Sequence, residues 1–131
     1  MKNIISFFFL SLLAIPMFGQ PEDTRPTIKV VEIEAAFIEA KKEIFLEHFE
    51  EAIVIYQGIV TKDKTNATAY YEMAKVYESL DKIKEAKINA KDAFRLDKGN
   101  EWFGVYHAEF LITDGEYQQA ADVYEEIITT N

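Results

Sequence analysis

No cysteine occurs among the 131 residues of the chain. This absence excludes disulfide bonds, thiolate nucleophiles, zinc sites with sulfur ligands and iron–sulfur clusters. The three prolines all lie within the first 26 residues. The five glycines are isolated from one another, so no glycine-rich loop is available to cradle a phosphate group. The sequence therefore lacks the features of several common cofactor sites.

Positive charge is also scarce in this chain. It has 14 Lys and Arg against 23 Asp and Glu, a formal net charge of −9 and a pI near 4.7. A nucleic-acid partner is disfavoured, because no basic field exists that could displace counterions from phosphates. The hydrophobic share of 49% and the aromatic share of 14% predict a folded core, and the length suits one domain.

Few side chains suited to catalysis follow residue 19. Ser79 is the one serine there, and His48 and His107 lie 59 positions apart. Nothing in the pattern brings a Ser/His/Asp set or a cluster of metal ligands together. His48 falls in a short turn and is expected to be exposed, whereas His107 is expected between helices with its hydrogen bonds satisfied. We predict a protein that is not an enzyme and that needs no cofactor and no metal.

Residues 1–19 have the pattern of a secretory signal peptide. Lys2 gives a positive start, residues 4–15 are apolar apart from two serines, Pro16 ends the run, and Gly19 precedes the expected cleavage site. Twelve apolar residues are too few to cross a hydrocarbon core of ~30 Å. A buried N-terminal helix is the alternative, but three consecutive phenylalanines do not fit amphipathic spacing. We predict export to a bacterial periplasm or to the cell exterior.

The rest of the chain divides into a tether and a repeat. Residues 20–32 contain the last two prolines and are predicted to be a flexible tether with a short extended piece at residues 28–31. From residue 33 the sequence repeats with a period of 34, and each unit holds two helical patterns separated by a short break. The matched sets are Ala52, Ala86 and Ala120; Phe49, Ile83 and Tyr117; and Tyr56, Ala90 and Tyr124. This pattern predicts three antiparallel helix pairs at residues 33–66, 67–100 and 101–131.

The 34-residue helix–turn–helix unit resembles the tetratricopeptide repeat (TPR). That family places a large aromatic, Leu, a small residue and Tyr in the first helix, then Ala, an aromatic and Ala in the second. The middle unit matches with Tyr70, Met73, Ala74, Tyr77, Ala86 and Ala93, and the third with Ala108, Gly115, Tyr117, Ala120 and Tyr124. The resemblance implies an all-α fold, an α-solenoid of three antiparallel helix–turn–helix repeats.

The first unit departs from this pattern. Its first helix fits only if one residue is dropped from the turn, which directs Phe37, Ala40 and Ile44 inward. Chaperone-binding members of the family hold a C-terminal carboxylate with a clamp of Lys, Asn and Arg. The clamp positions here carry Tyr71, Glu72, Trp102 and Tyr106. The resemblance therefore does not extend to that class of partner.

By the family's geometry, the first helices of the repeats line a concave groove that binds peptide or protein segments. The groove positions so implied are Ile38, Lys42 and Phe45 in the first repeat, Tyr71, Lys75 and Glu78 in the second, and Trp102, Val105, Glu109 and Ile112 in the third. Aromatic and apolar side chains with mixed charge are typical of such a surface. The alternative is that several of them only cap neighbouring helices.

We therefore predict an exported, non-catalytic module or scaffold that binds a peptide or protein segment in the groove. The alternative function is an envelope assembly component that acts through self-association or stacking of its last helix. This helix carries no polar cap, and its predicted edge consists of Ala121, Tyr124 and Ile128. A homo-oligomer formed through this C-terminal edge is the second partner that the sequence suggests.

Overall fold

The computed structural model describes residues 27–130 of the chain. Over this range it forms six α-helices and no strand: α1 (Ile28–Phe45), α2 (Phe49–Lys62), α3 (Ala67–Ser79), α4 (Ile83–Leu96), α5 (Glu101–Thr113) and α6 (Tyr117–Thr130). The predicted all-α solenoid of three helix pairs is confirmed. None of these helices combines the length and the hydropathy that a membrane span needs. The predicted signal peptide and residues 20–26 of the predicted tether lie outside the described residues.

Helix α1 begins at Ile28, so the prediction of a tether that reaches residue 32, with an extended piece at 28–31, is wrong for these residues. The Thr27 side chain caps the helix by accepting a hydrogen bond from the Val30 amide at 3.4 Å. One turn later the Glu32 carboxylate pairs with Lys62 of α2 at 2.9 Å. Because Pro26 precedes the cap, no proline interrupts the helix after it starts.

The turn inside each repeat has the same geometry three times. Glu47, Asp81 and Gly115 occupy it with φ of 61°, 58° and 80°, at intervals of 34 residues. The amide of the following residue then bonds back to a carbonyl five positions earlier, at 2.9, 2.9 and 2.8 Å. This is the left-handed termination that satisfies the last carbonyls of a helix. The turn before α2 is therefore as long as the others, and the residue dropped from it in the sequence comparison is present.

With an uninterrupted period of 34, two sets of alanines become equivalent in all three repeats. Ala40, Ala74 and Ala108 belong to the first helices, and Ala52, Ala86 and Ala120 belong to the second helices. All six are buried. Small side chains at these positions let the two helices of a pair approach closely, and a larger one would push them apart.

The core is built between successive helices and not around one centre. One cluster joins α1, α2 and α3 around Tyr56, Ile59 and Met73. A second joins α3, α4 and α5, and a third extends from α3 to α6 around Phe94 and Phe103. Each helix pair buries its apolar face only with the help of its neighbours, as in other helical repeats. This arrangement leaves α1, α3 and α5 adjacent along one side.

Candidate functional site: the groove along the first helices

The surface along α1, α3 and α5, called here the first-helix groove, begins with a network of charged residues between α1 and α3. Lys41 of α1 pairs with Glu72 of α3 at 2.5 Å, and Lys75 approaches the same carboxylate at 3.7 Å. The Lys75 ammonium also lies 5.3 Å from the centre of the Tyr71 ring. Between the two helices is a depression of about 140 Å³, lined by these charged residues and by Ile44.

Aromatic side chains continue the groove from α3 to α5. The Tyr71 ring packs on Phe103 and Tyr106, with centroid distances of 4.9 and 5.3 Å. The Tyr106 hydroxyl donates a hydrogen bond to the Glu78 carboxylate at 2.8 Å. Burial, with this bond as the second cause, raises the pKa of Tyr106, and burial followed by the Glu72 charge raises the pKa of Tyr71. Both phenols are therefore neutral donors at physiological pH.

At the far end of the groove, Trp102 is 68% exposed. It lies beside the loop between α4 and α5, where residues 97–102 line an open depression of about 660 Å³. Its backbone amide donates to the Asn100 side chain at 3.1 Å, and this bond caps α5. Because the indole is large and has no ring contact within the described residues, it is available to a partner.

The structure brings some of the sequence-predicted groove residues together and separates others. Tyr71, Lys75 and Glu78 are joined by the contacts above, and Val105 packs against the third core cluster as a partly buried residue. Glu109 and Ile112 are exposed on α5. In contrast, Ile38, Lys42 and Phe45 are exposed on α1 without any such contact to α3, and Lys42 pairs with Glu39 of its own helix at 2.5 Å.

The uninterrupted register explains this separation. The residues 34 positions before Tyr71, Lys75 and Glu78 are Phe37, Lys41 and Ile44, each one position before the residue that the sequence comparison chose. Lys41 was missed for this reason, whereas Glu72 was named only as a departure from the chaperone clamp and not as the partner of Lys41. The signal that could have found them is the spacing of Ala40 from Ala74 and Ala108, which needs no dropped residue.

The two histidines differ in their surroundings. His48 is exposed, as predicted, and lies 2.8 Å from the Glu43 carboxylate, which lowers the pKa of that carboxyl. His107 lies between helices, but its shielded Nδ1 has no hydrogen-bond partner within residues 27–130, so the prediction of a satisfied histidine is wrong. Phe94, Phe110 and Val123 line the depressions beside it, and the carboxylates there, Asp114 and Glu126, pair with Lys87 and Lys98. Burial, and then the Lys91 charge, lowers the pKa of His107.

No group of three or more His, Asp or Glu side chains that could hold a metal ion exists within the described range. The C-terminal edge of α6 is apolar, with Ile128 77% exposed. In the 34-residue register, Ile128 is equivalent to Phe94 of α4, which the following first helix, α5, helps to bury. The predicted edge residues Ala121 and Tyr124 are exposed and half-buried, respectively.

No protein-family model and no curated protein sequence matches the chain. Several solved structures share its fold. MamA superimposes with a TM-score of 0.66 at 17% identity, and the match covers 75% of this chain and 57% of that one. This chain therefore spans little more than half the length of MamA.

Two shorter TPR domains match over more of their own length. The second TPR of Spaghetti (RPAP3), solved with the HSP90 peptide SRMEEVD, has a TM-score of 0.63 at 18% identity, over 76% of this chain and 92% of that one. The TPR2B domain of yeast Sti1, in its pHsp70 complex, has a TM-score of 0.64 at 20% identity, over 76% and 80%. At such identities the likeness establishes the TPR fold and nothing further.

Proposed function

We propose that this protein is a non-catalytic interaction module that binds a peptide or protein segment in its first-helix groove. The observation that carries the proposal is the connected set of side chains from Lys41 through Tyr71 to Tyr106, with Trp102 exposed one turn earlier on α5. It combines two lysine ammonium groups, ordered aromatic rings and an exposed indole. Two of the structural neighbours are solved with bound partners, which supports the proposal by analogy of fold.

The chemistry of this surface suits an extended segment with an apolar and an acidic side chain. Exposed aromatic residues give large contact areas at a small entropic cost, and they are enriched among the residues that dominate binding energy. Lys41 and Lys75 share the single Glu72 carboxylate, so they retain the capacity to pair with an incoming acid. The clamp for a terminal carboxylate is absent here, so we propose recognition of side chains and not of a chain end.

The groove proposal is tested by selecting binders from a peptide display library and measuring their affinity for groove variants. Trp102→Ala removes an anchor worth about 2 kcal/mol, and we expect binding to weaken about 30-fold. Lys75→Glu is expected to weaken acidic binders and to spare neutral ones. Ile88→Ala is the matched control, because Ile88 is equally a large exposed residue but lies on α4. Unchanged affinity in both groove variants would rule the groove out.

We further propose that the protein works outside the cytoplasm, in a bacterial periplasm or beyond it. The support is the sequence of residues 1–19, with Lys2, the apolar run, Pro16 and Gly19 in the order of a signal peptide. Expression of the full chain in a bacterial host, followed by fractionation and N-terminal sequencing, tests it. We expect a periplasmic product that begins at Gln20. An intact chain retained in the cytoplasm contradicts the proposal.

A second candidate function is assembly through the C-terminal edge. The observation that favours it is the exposure of Ile128 at a position where α4 is buried by the next helix. A partner helix with small and apolar side chains would fit this edge. Sedimentation of the protein and of Ile128→Glu tests it, and a mass that neither depends on concentration nor responds to the substitution excludes self-association there.

A further inference from the structure

Helix α1 has two apolar faces, and the fold of this chain uses only one of them. The inner face packs on α2 and α3 through Ile33, Phe37, Ala40 and Ile44. The second, called here the outer face of α1, is the row Ile28, Val31, Ala35, Ile38, Lys42 and Phe45. These residues alternate steps of three and four, so they form one stripe, and this stripe lies opposite the inner face.

This stripe is open to solvent over its whole length. Ile28 is 80% exposed, Ile38 73% and Phe45 86%, and Val31 and Ala35 are also exposed. Scattered exposed apolar residues are normal, but a contiguous row at heptad spacing is the pattern of a helix that pairs with another helix. The structure therefore contains an apolar helix face that no described residue covers.

The length of α1 strengthens this point. Helices α3 and α5 have 13 residues each, whereas α1 has 18. The additional first turns lie outside the repeat and contribute Ile28 and Val31 to the outer face. An exposed ion pair between Glu32 and Lys62 connects this extension to α2. The extension thus lengthens the exposed stripe, to about 27 Å at 1.5 Å per residue.

We propose that the outer face of α1 is a homodimer interface in which the α1 helices of two copies pair antiparallel about Ile38. The charges beside the stripe favour this occupant and this direction. In an antiparallel pair centred on Ile38, residues equally far before and after Ile38 lie opposite each other. Glu34 of each copy therefore faces Lys42 of the other, which gives two opposite-charge contacts. A parallel pair would instead place Glu34 beside Glu39, and Lys42 beside Lys42, which are like-charge contacts.

The remaining charges are compatible with the antiparallel pair. Glu39 approaches its own symmetry mate, but each copy neutralises this carboxylate with Lys42 at 2.5 Å. Lys41, which pairs with Glu72 of its own copy, lies across from Ala35, where the small side chain leaves room for the aliphatic part of the lysine. One helix per copy is a small interface, so we expect a concentration-dependent equilibrium and not a permanent dimer. The aromatic part of the first-helix groove, from Tyr71 to Trp102, stays open in this arrangement.

The association is tested by sedimentation equilibrium of the full chain, expressed with its N-terminal residues and recovered as the cell processes it. We expect a monomer–dimer equilibrium. Ile38→Lys should weaken the dimer about a hundredfold, because each dimer loses both central side chains. The thermal unfolding of the monomer should change little, since Ile38 is 73% exposed. Ile88→Lys and Ile128→Glu are the controls, and we expect both to dimerise like the wild type.

The direction of pairing is tested by cross-linking, because a chain without cysteine accepts single thiols cleanly. Under oxidation, Ile38→Cys should form a disulfide-linked dimer, since only residues near the two-fold axis meet their own copies. Val31→Cys mixed with Phe45→Cys should cross-link, and each alone should not. Self-linking of Val31→Cys and of Phe45→Cys would show a parallel pair and overturn the proposal.

Other occupants of the outer face give distinct results. A mass that stays monomeric at all concentrations overturns the proposal, and so does a dimer that Ile128→Glu dissociates and Ile38→Lys does not. A zero-length or lysine cross-link that joins α1 to residues 1–26 of the same chain would identify that segment as the cover. This outcome would also overturn the dimer, whereas peptide binding in the groove would remain unaffected by any of these results.

Discussion

Helices α1 and α3 occupy equivalent positions in the repeat, yet the face that α3 packs against α2 is exposed to solvent in α1. In α3, Ala69, Met73 and Val76 are buried against α2. The equivalent residues of α1, 34 positions earlier, are Ala35, Glu39 and Lys42, and all three are exposed. The repeat period alone therefore tells which positions face a preceding helix. At these positions α1 has no preceding helix within residues 27–130, and its side chains there are small or charged.

The exposed charges of α1 at Glu39 and Lys42 also limit how copies of this protein could stack. A head-to-tail array would place α1 of one copy on the C-terminal edge of another, in the way that α5 follows α4. The apolar residues Tyr124 and Ile128 would then face the Glu39–Lys42 ion pair, which would lose solvation without a polar partner. The Glu39–Lys42 pair thus disfavours head-to-tail stacking, whereas an antiparallel pair of α1 helices supplies Glu34 of the other copy as a partner for Lys42.

The largest effect on stability is expected from exchanging the residues at two equivalent positions, Val76 of α3, which is buried, and Lys42 of α1, which is exposed. Val76→Lys places the α1 residue in the buried α3 site, where the charge loses solvation and where Glu72, one turn earlier, is already paired with Lys41 and Lys75. It should destabilise the fold by about 3 kcal/mol. Lys42→Val makes the reverse change on the open face. It should alter the stability of the monomer by less than about 0.5 kcal/mol.

Urea unfolding at a concentration where the protein is monomeric measures both effects. Similar losses in the two variants would contradict the comparison, because they would mean that α1 has a covering neighbour at Lys42. A loss of stability confined to Val76→Lys would support the conclusion that Lys42 has no covering neighbour.

Two helical glycines provide a second pair of covered and open positions. At Gly104 a Cβ would lie 2.6 Å from Ile127 Cδ1 and 2.9 Å from Phe94, whereas at Gly58 it would meet nothing within 4 Å. Gly104→Ala should therefore cost about 1–3 kcal/mol by overpacking between α4, α5 and α6. Gly58→Ala should stabilise α2 by up to about 1 kcal/mol, the gain in helix propensity.

Thermal unfolding of the two variants against the wild type gives the sign directly. Equal shifts of the unfolding temperature in the same direction would show that helix propensity, and not the contact of the new Cβ atom, determines the stability of both variants.

The smallest effect on stability is expected at His107, where a polar ring lies between helices without a hydrogen-bond partner for its Nδ1 within residues 27–130. His107 is equivalent to Met73, and its unpartnered Nδ1 should make His107→Met about 1 kcal/mol more stable than the wild type. Because folding lowers the pKa of His107, the unfolded state binds more protons below pH of about 6.5. Stability contributed by the neutral ring is present above that pH and is lost as the pH falls toward the folded pKa.

Unfolding free energies measured as the pH is lowered below about 6.5 should fall in the wild type and should fall less in His107→Met. Lys91→Gln should keep most of the effect, since burial is the larger cause of the shift and the Lys91 charge the smaller. An identical pH profile for the wild type and His107→Met would exclude His107 as its source.

Much of the fold could be predicted from the sequence because the repeat is strict. The spacing of Ala52, Ala86 and Ala120 located the helix pairs, and the short breaks between periodic segments located the turns. The first repeat was harder, because its first helix lacks the family's aromatic and its turn carries Glu47 where glycine is common. A left-handed glutamate is not visible in a pattern, so the register of α1 was displaced by one residue, and three groove positions with it.

Sequence periodicity by itself determined the helices, their antiparallel pairing and the buried alanines, since these depend on side-chain size and spacing that recur every 34 residues. Only the tertiary structure decided which exposed residues share a surface. It joined Lys41 to Glu72 and Tyr71 to Tyr106 across helices, and it left His107 without an acceptor. It also showed that the outer face of α1 has no cover within residues 27–130, because exposure depends on neighbouring helices and not on the local sequence.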